Sequence, residues 1–91
     1  MEFNFEKLQV WQKSLDLTLT IQELTRKFPK EETFILTSQI KRAADSVTLN
    51  IAEGSTGQSK VEFQRFLRIA VRCCIEVVAC LHIAMKRNFK K

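Results

Sequence analysis

Residues 59–88 read SKVEFQRFLRIAVRCCIEVVACLHIAMKRN, and this stretch decides the fold. It opens on Ser59-Lys60-Val61-Glu62, the pattern of a capping box. There the serine hydroxyl accepts from the Glu62 amide, and the Glu62 carboxylate returns to the Ser59 amide. Apolar side chains then recur at helical spacing: Phe63, Phe66, Leu67, Ala70, Cys74, Val77, Val78, Leu81, Ala84 and Met85. At 100° per residue they form one stripe, whereas a strand would alternate with period two. Helical throughout, the stretch is about 45 Å long at a rise of about 1.5 Å per residue.

Upstream lies Gly54-Ser55-Thr56-Gly57-Gln58, a break in the pattern. Before it, Leu36, Ile40, Ala43, Ala44, Val47 and Ile51 make a second helical stripe, with a cap expected at Thr37. The small Ala43-Ala44 pair lets a neighbouring helix approach closely. Gly54 is expected to end this helix in the left-handed conformation. The next break upstream is Phe28-Pro29-Lys30, where proline pushes its predecessor out of the helical region. The segment before it carries two apolar stripes, Leu8, Trp11, Leu15, Leu19 and Val10, Leu17, Ile21, Leu24, Phe28. Ser14, Thr18, Gln22 and Thr25 lie between them, and so wide an apolar surface calls for more than one neighbour. The expected organisation is all-α: one domain over residues 1–91, with helices at about 6–28, 34–53 and 59–88. The second helix is only about 25 Å long, so the distal half of the third outruns it. It needs a further partner, either a fourth helix or another copy of the chain.

Composition narrows the class. At 91 residues the chain has room for a single domain. It is 45% hydrophobic and 27% charged, which argues against wholesale disorder. No apolar run is long enough for a membrane span. The start, Met1-Glu2-Phe3-Asn4-Phe5-Glu6, is not a secretory signal, so a cytoplasmic location is expected. The three cysteines, an odd number clustered between Cys73 and Cys80, read as reduced thiols. The net charge of +5 permits contact with RNA, DNA or acidic surfaces without demanding it.

Catalytic chemistry finds little to stand on. Cys80 and His82 diverge by about 160° on a helix, and there is no other histidine to complete a zinc site. A thiol or hydroxyl nucleophile would need a base, but His82 falls away from the core stripe. Glu53 and Glu62 flank the glycine-containing loop, yet a helix end and the capping box already account for them. Gly54-Ser55-Thr56-Gly57 is neither a Walker loop nor a dinucleotide fingerprint. No enzymatic activity, metal, cofactor or small-molecule substrate is expected.

Two surface features remain. Arg65, Arg68, Arg72 and Lys86 share an arc of about 60° opposite the core stripe of the third helix. Lys41 and Arg42 add a basic pair on the second helix, and Lys86-Arg87-Asn88-Phe89-Lys90-Lys91 adds a basic tail. For each, a phosphate-tracking role competes with that of a solvated helix face. The second feature is apolar: Ile69, Ile75, Ile83 and Leu49 point away from their stripes. With Val10, Leu17 and Ile21 of the first helix they form a candidate self-association surface.

Several stretches resemble the four-helix-bundle proteins encoded in intervening sequences of 23S rRNA genes. They are Phe5-Glu6-Lys7-Leu8-Gln9-Val10-Trp11-Gln12-Lys13-Ser14, Phe28-Pro29-Lys30-Glu31-Glu32, Leu36-Thr37-Ser38-Gln39-Ile40-Lys41-Arg42-Ala43-Ala44 and Asn50-Ile51-Ala52-Glu53-Gly54. The likeness resumes at Ser59, Glu62-Phe63 and Phe66-Leu67 and continues through Leu81-His82-Ile83-Ala84. It implies an up-and-down antiparallel helical bundle that assembles into a cyclic homo-oligomer, often a pentamer, with no enzymatic activity attached. The chain is also similar to accessory proteins of diversity-generating retroelements, which implies nucleic acid and a reverse transcriptase as partners. There are departures. Thr48 stands where proline is frequent, Thr56-Gly57 where Gly-Arg is common, Arg72 where a small residue is frequent, and Arg87-Asn88-Phe89 at a usual Leu-Gly-Tyr. The family's fourth helix has no counterpart in these 91 residues, as expected of a truncated version, a natural short form or a piece of a longer chain. The leading expectation is a non-enzymatic, self-assembling helical protein; the alternative is a nucleic-acid-binding accessory protein acting with rRNA or a reverse transcriptase.

Overall fold

The computed structural model describes residues 4–57 and 59–89. Three α-helices form: α1 (Gln9–Thr25), α2 (Leu36–Ser55) and α3 (Lys60–Lys86). Short 3-10 turns at Asn4–Lys7 and Lys30–Glu32 precede the first two. Gly54 lies against Phe63 and Phe66, while Gln39 bonds Glu76, so α2 and α3 run antiparallel. The expected all-α architecture is present, and among the described residues there is no strand.

The core is organised around α2. Leu36, Ile40, Ala43, Ala44, Val47 and Ile51 are all buried, each at 4% exposure or less. Helices α1 and α3 pack on opposite flanks of that face, and no Cα of α1 comes within 8 Å of one in α3. Their side chains still share the core. Ile21 of α1 shares one buried cluster with Ile40 and Ala44 of α2 and Val77, Cys80 and Ala84 of α3, and Leu17 and Trp11 pack against a second one of Val47, Ile51 and Ala70.

Helix α1 seats itself differently from its sequence pattern. The line facing α2 contains Ser14 and Thr25, both buried, and the half-buried Thr18. Each hydroxyl donates to a carbonyl of its own helix: Ser14 to Trp11, Thr18 to Leu15 at 2.7 Å, and Thr25 to Ile21 at 2.9 Å. A small side chain satisfied in this way can be buried without a cross-helix partner. The two apolar stripes therefore flank the contact. One leaves Leu15 and Leu19 at 41% and 60% exposure.

The helix ends also differ from expectation. At the N-terminus of α2, Thr37 is not the cap; Ile35 holds that position, and the Glu32 carboxylate accepts from the Leu36 amide at 3.4 Å. Gly54 does not adopt a left-handed conformation, and α2 runs through it to Ser55. Its role is close approach: a Cβ there would lie 2.6 Å from Phe66 Cβ and 3.0 Å from Phe63 Cδ1. The capping box is half formed. Ser59 Oγ accepts from the Glu62 amide at 3.1 Å, while the Glu62 carboxylate pairs with Arg65 at 2.9 Å.

The distal end of α3 finds its partner within the chain. Asn88 takes the left-handed position (φ 61°), its amide donating to the Met85 carbonyl and the Phe89 amide to Ala84. This is a Schellman motif, with asparagine tolerated where glycine is usual. It turns Phe89 back to pack edge-on against Phe28, with ring centroids 5.6 Å apart. Val78 and Met85, expected in the core stripe, are instead 52% and 64% exposed, because they project to the side of α3 that α2 does not cover.

Gly54→Ala is expected to destabilise the fold by about 1–3 kcal/mol, since the added methyl meets a Cβ rather than a flexible tip. Thermal denaturation should show a fall of about 4–8 °C per kcal/mol. Gly57→Ala, whose methyl would lie 3.1 Å from both the Glu62 Cγ and the Gly54 carbonyl oxygen, is less crowded and should cost less.

Candidate functional site

The basic residues of α3 lie on its outer face. Arg65, Arg68, Arg72 and Lys86 are all exposed. Arg65 is engaged, its guanidinium paired with Glu62 and lying 4.9 Å from the centroid of the Phe66 ring. Among the described residues Arg68, Arg72 and Lys86 make no ion pair. Arg42 is exposed, but Lys41 is half-buried. Lys90 and Lys91 of the expected basic tail lie outside the described residues.

The candidate association residues divide. Leu49, Ile75 and Val10 are exposed at 62%, 62% and 50%, and Ile83 at 39%. Ile69 and Leu17 are half-buried, and Leu17 packs against both parts of the core. Ile21 is 1% exposed. It belongs to the core and offers nothing to a second chain, because α1 turns the Ile21 side of its stripe toward α2.

Other exposed apolar residues escaped the sequence pattern. Phe34 is 91% exposed and Ile35 61%, in the turn before α2 rather than inside a helix. They border a groove of about 620 Å³ between α2 and α3, with Arg42, Cys73 and Glu76 along it. On the α1–α2 side, Leu15 and Leu49 line a second depression with Thr18, Asp45 and Thr48. The Thr48 hydroxyl and the Trp11 Nε1 are buried with no hydrogen-bond partner. Only the spacing of Phe34 relative to Pro29 could have hinted that it precedes the helix.

The reactive side chains do not converge. Glu53 is exposed and lines neither groove, while Glu62 is occupied by Arg65. His82 is exposed on α3. Among the described residues no three of His, Cys, Asp and Glu are grouped to hold a metal ion, and no helix is long and apolar enough to cross a membrane. Cys80 is buried, and Cys73 and Cys74 are half-buried. Burial pushes the Cys74 thiol above its usual value, with Cys73 adding to the shift; burial and then Glu76 do the same to Cys80. Thiols held protonated in this way are poor nucleophiles.

These raised values have a consequence for stability. As pH rises past the ordinary thiol value of 9.0, the unfolded chain loses these protons before the folded one. Stability present below that value is therefore lost above it. The urea midpoint should fall as the pH is raised above 9.0, and Cys74→Ala/Cys80→Ala should flatten the fall. A midpoint steady above that pH in the parent protein would contradict the assignment.

No curated protein matches the chain. A family model does, that of the 23S rRNA-intervening sequence protein, over residues 6–91. The match takes in all three helices, and the helical fold agrees with it. The chain therefore belongs to the 23S rRNA-intervening sequence protein family.

Proposed function

We propose that this protein is a non-enzymatic helical building block that self-assembles into a closed homo-oligomer, a ring of five on the family resemblance. The observation that carries the reading is the amount of large apolar side chain left in water on the outer faces. Leu15 of α1 and Leu49 of α2 line one depression, with Leu19 exposed a turn further along α1; Ile75 and Ile83 are exposed on α3, and Phe34 is exposed ahead of α2. Scattered exposed aliphatics are ordinary on a monomer, but grouped ones mark an interface. Two such faces on one chain suit a head-to-tail contact, the kind that forms a ring when its rotation closes.

A second reading rests on Arg68 and Arg72, exposed and unpaired on the face that also carries Lys86. Repeated around a ring, such a patch would hold RNA or DNA by avidity, without base-specific contacts. A reverse transcriptase is the protein partner consistent with this role, and a cytoplasmic location with both readings.

Light scattering on a sizing column should give a several-fold multiple of 10.6 kDa. Leu49→Glu should lower that mass while leaving the helical circular dichroism unchanged, since Leu49 is not in the core. A parent protein that stays at 10.6 kDa at tens of micromolar would overturn self-assembly. For the second reading, affinity for a single-stranded RNA should fall steeply between about 50 and 200 mM salt. Arg68→Ala/Arg72→Ala should reduce the slope by about one per lost phosphate contact. Salt-independent binding would contradict phosphate tracking.

A further inference from the structure

We infer that the groove between α2 and α3 is a binding site for a small apolar zwitterion, of the class of a free hydrophobic amino acid. The inference is of binding alone and does not rest on the self-assembly reading. The groove holds about 620 Å³, within the range of small-molecule sites. Ala43 of α2 is buried and lines it with a single methyl, so the groove is deep where the two helices meet. Phe34 and Ile35 line it at the start of α2, outside the core and exposed. They give that end an apolar wall, and covering it with an apolar group removes its surface from water.

Charge selects the ligand. Arg42 of α2 and Glu76 of α3 are the two charged residues among those lining the groove, one from each helix. Lys41, Asp45 and Arg72 stand near them in sequence but line no part of it. Among the described residues Arg42 makes no ion pair, with Glu76 or with any other carboxylate. Glu76 Oε2 accepts from Gln39 Nε2 at 3.3 Å, which holds the carboxylate toward α2 and leaves Oε1 for another donor. Ser46 Oγ accepts from Asn50 Nδ2, so its own O–H is left to donate into the groove's far end. Along α2 the order is therefore apolar, acidic, basic, with Gln39 and Arg42 separated by a rise of about 4.5 Å. A free amino acid presents the matching set from one carbon. Its side chain lies toward Phe34 and Ile35, its ammonium toward Glu76, and its carboxylate toward Arg42 and Ser46. Arg42 can take that carboxylate with two parallel N–H donors. An apolar acid without the ammonium would meet Glu76 as a like charge, and an apolar amine would meet Arg42 as one.

The test titrates the whole chain with phenylalanine, phenethylamine and phenylpropanoate, following backbone amide shifts by nuclear magnetic resonance. Phenylalanine should move the amides of Gln39, Arg42 and Glu76 saturably, with an affinity on the order of millimolar for so open a site. Each singly charged analogue should bind at least about threefold more weakly, the size of one exposed ion pair. Glycine, which keeps both charges and lacks the apolar group, should also bind more weakly. Arg42→Ala should erase the preference for phenylalanine over phenethylamine, and Glu76→Gln the preference over phenylpropanoate. Both residues are exposed, so the helical circular dichroism should hold. Leu49→Glu, the variant that tests self-assembly, should leave binding unchanged. Equal affinity for all three aromatic probes, no saturation by about 50 mM, or preferences that survive both variants would overturn the inference. A parent oligomer that loses mass on Arg42→Ala and on Glu76→Gln would overturn it too, since a second copy would then occupy the groove.

Discussion

Ile40, Ala43, Ala44, Val47 and Ile51 are almost wholly withdrawn from solvent, and α1 and α3 each pack against that one face of α2. Hydrophobic burial there is the constraint on which the rest depends. Deleting a buried isoleucine typically costs about 2–5 kcal/mol, a large share of the stability of a small domain. Two alanines at the centre let both neighbours sit close. Each neighbour then contributes its own adaptation: small hydroxyl residues on α1, and on α3 two phenylalanines stacked over Gly54. Because α2 satisfies both partners, they have no need to meet each other along their length.

That arrangement explains why so much apolar surface stays outside. A helix in contact with one neighbour buries only part of its circumference, and α1 and α3 are both apolar over more than that. Part of the remainder lies on the outer faces proposed as contacts between copies, where Leu15, Leu19, Leu49 and Ile75 stay exposed. Arg65, Arg68, Arg72 and Lys86 are exposed on α3.

Much of this was legible in the residues. The α2 stripe was read correctly in full, since its small and branched side chains recur on one face without ambiguity. At the start of α3 the Ser59 cap was legible too, although the Glu62 carboxylate turns to Arg65 instead of closing the box. Three features were not. Gly54 looked like a stop, but its lack of a side chain serves packing against a helix that arrives later in the chain. Ile21 was placed on a self-association stripe because nothing in the pattern says that the line of Ser14 and Thr25 between the two stripes faces α2; buried there, their hydroxyls bond to their own backbone. Val78 and Met85 looked like core because periodicity reports an apolar face but not whether a neighbour covers it.

The most direct measurement of the central claim is native-state amide hydrogen exchange, resolved by residue. If α2 holds the molecule together, its amides from Ile40 to Ile51 should exchange slowest, and only through global unfolding. Amides of α1 and the distal half of α3 should open at lower free energy. Protection greatest in α3, with α2 exchanging ahead of it, would contradict the account.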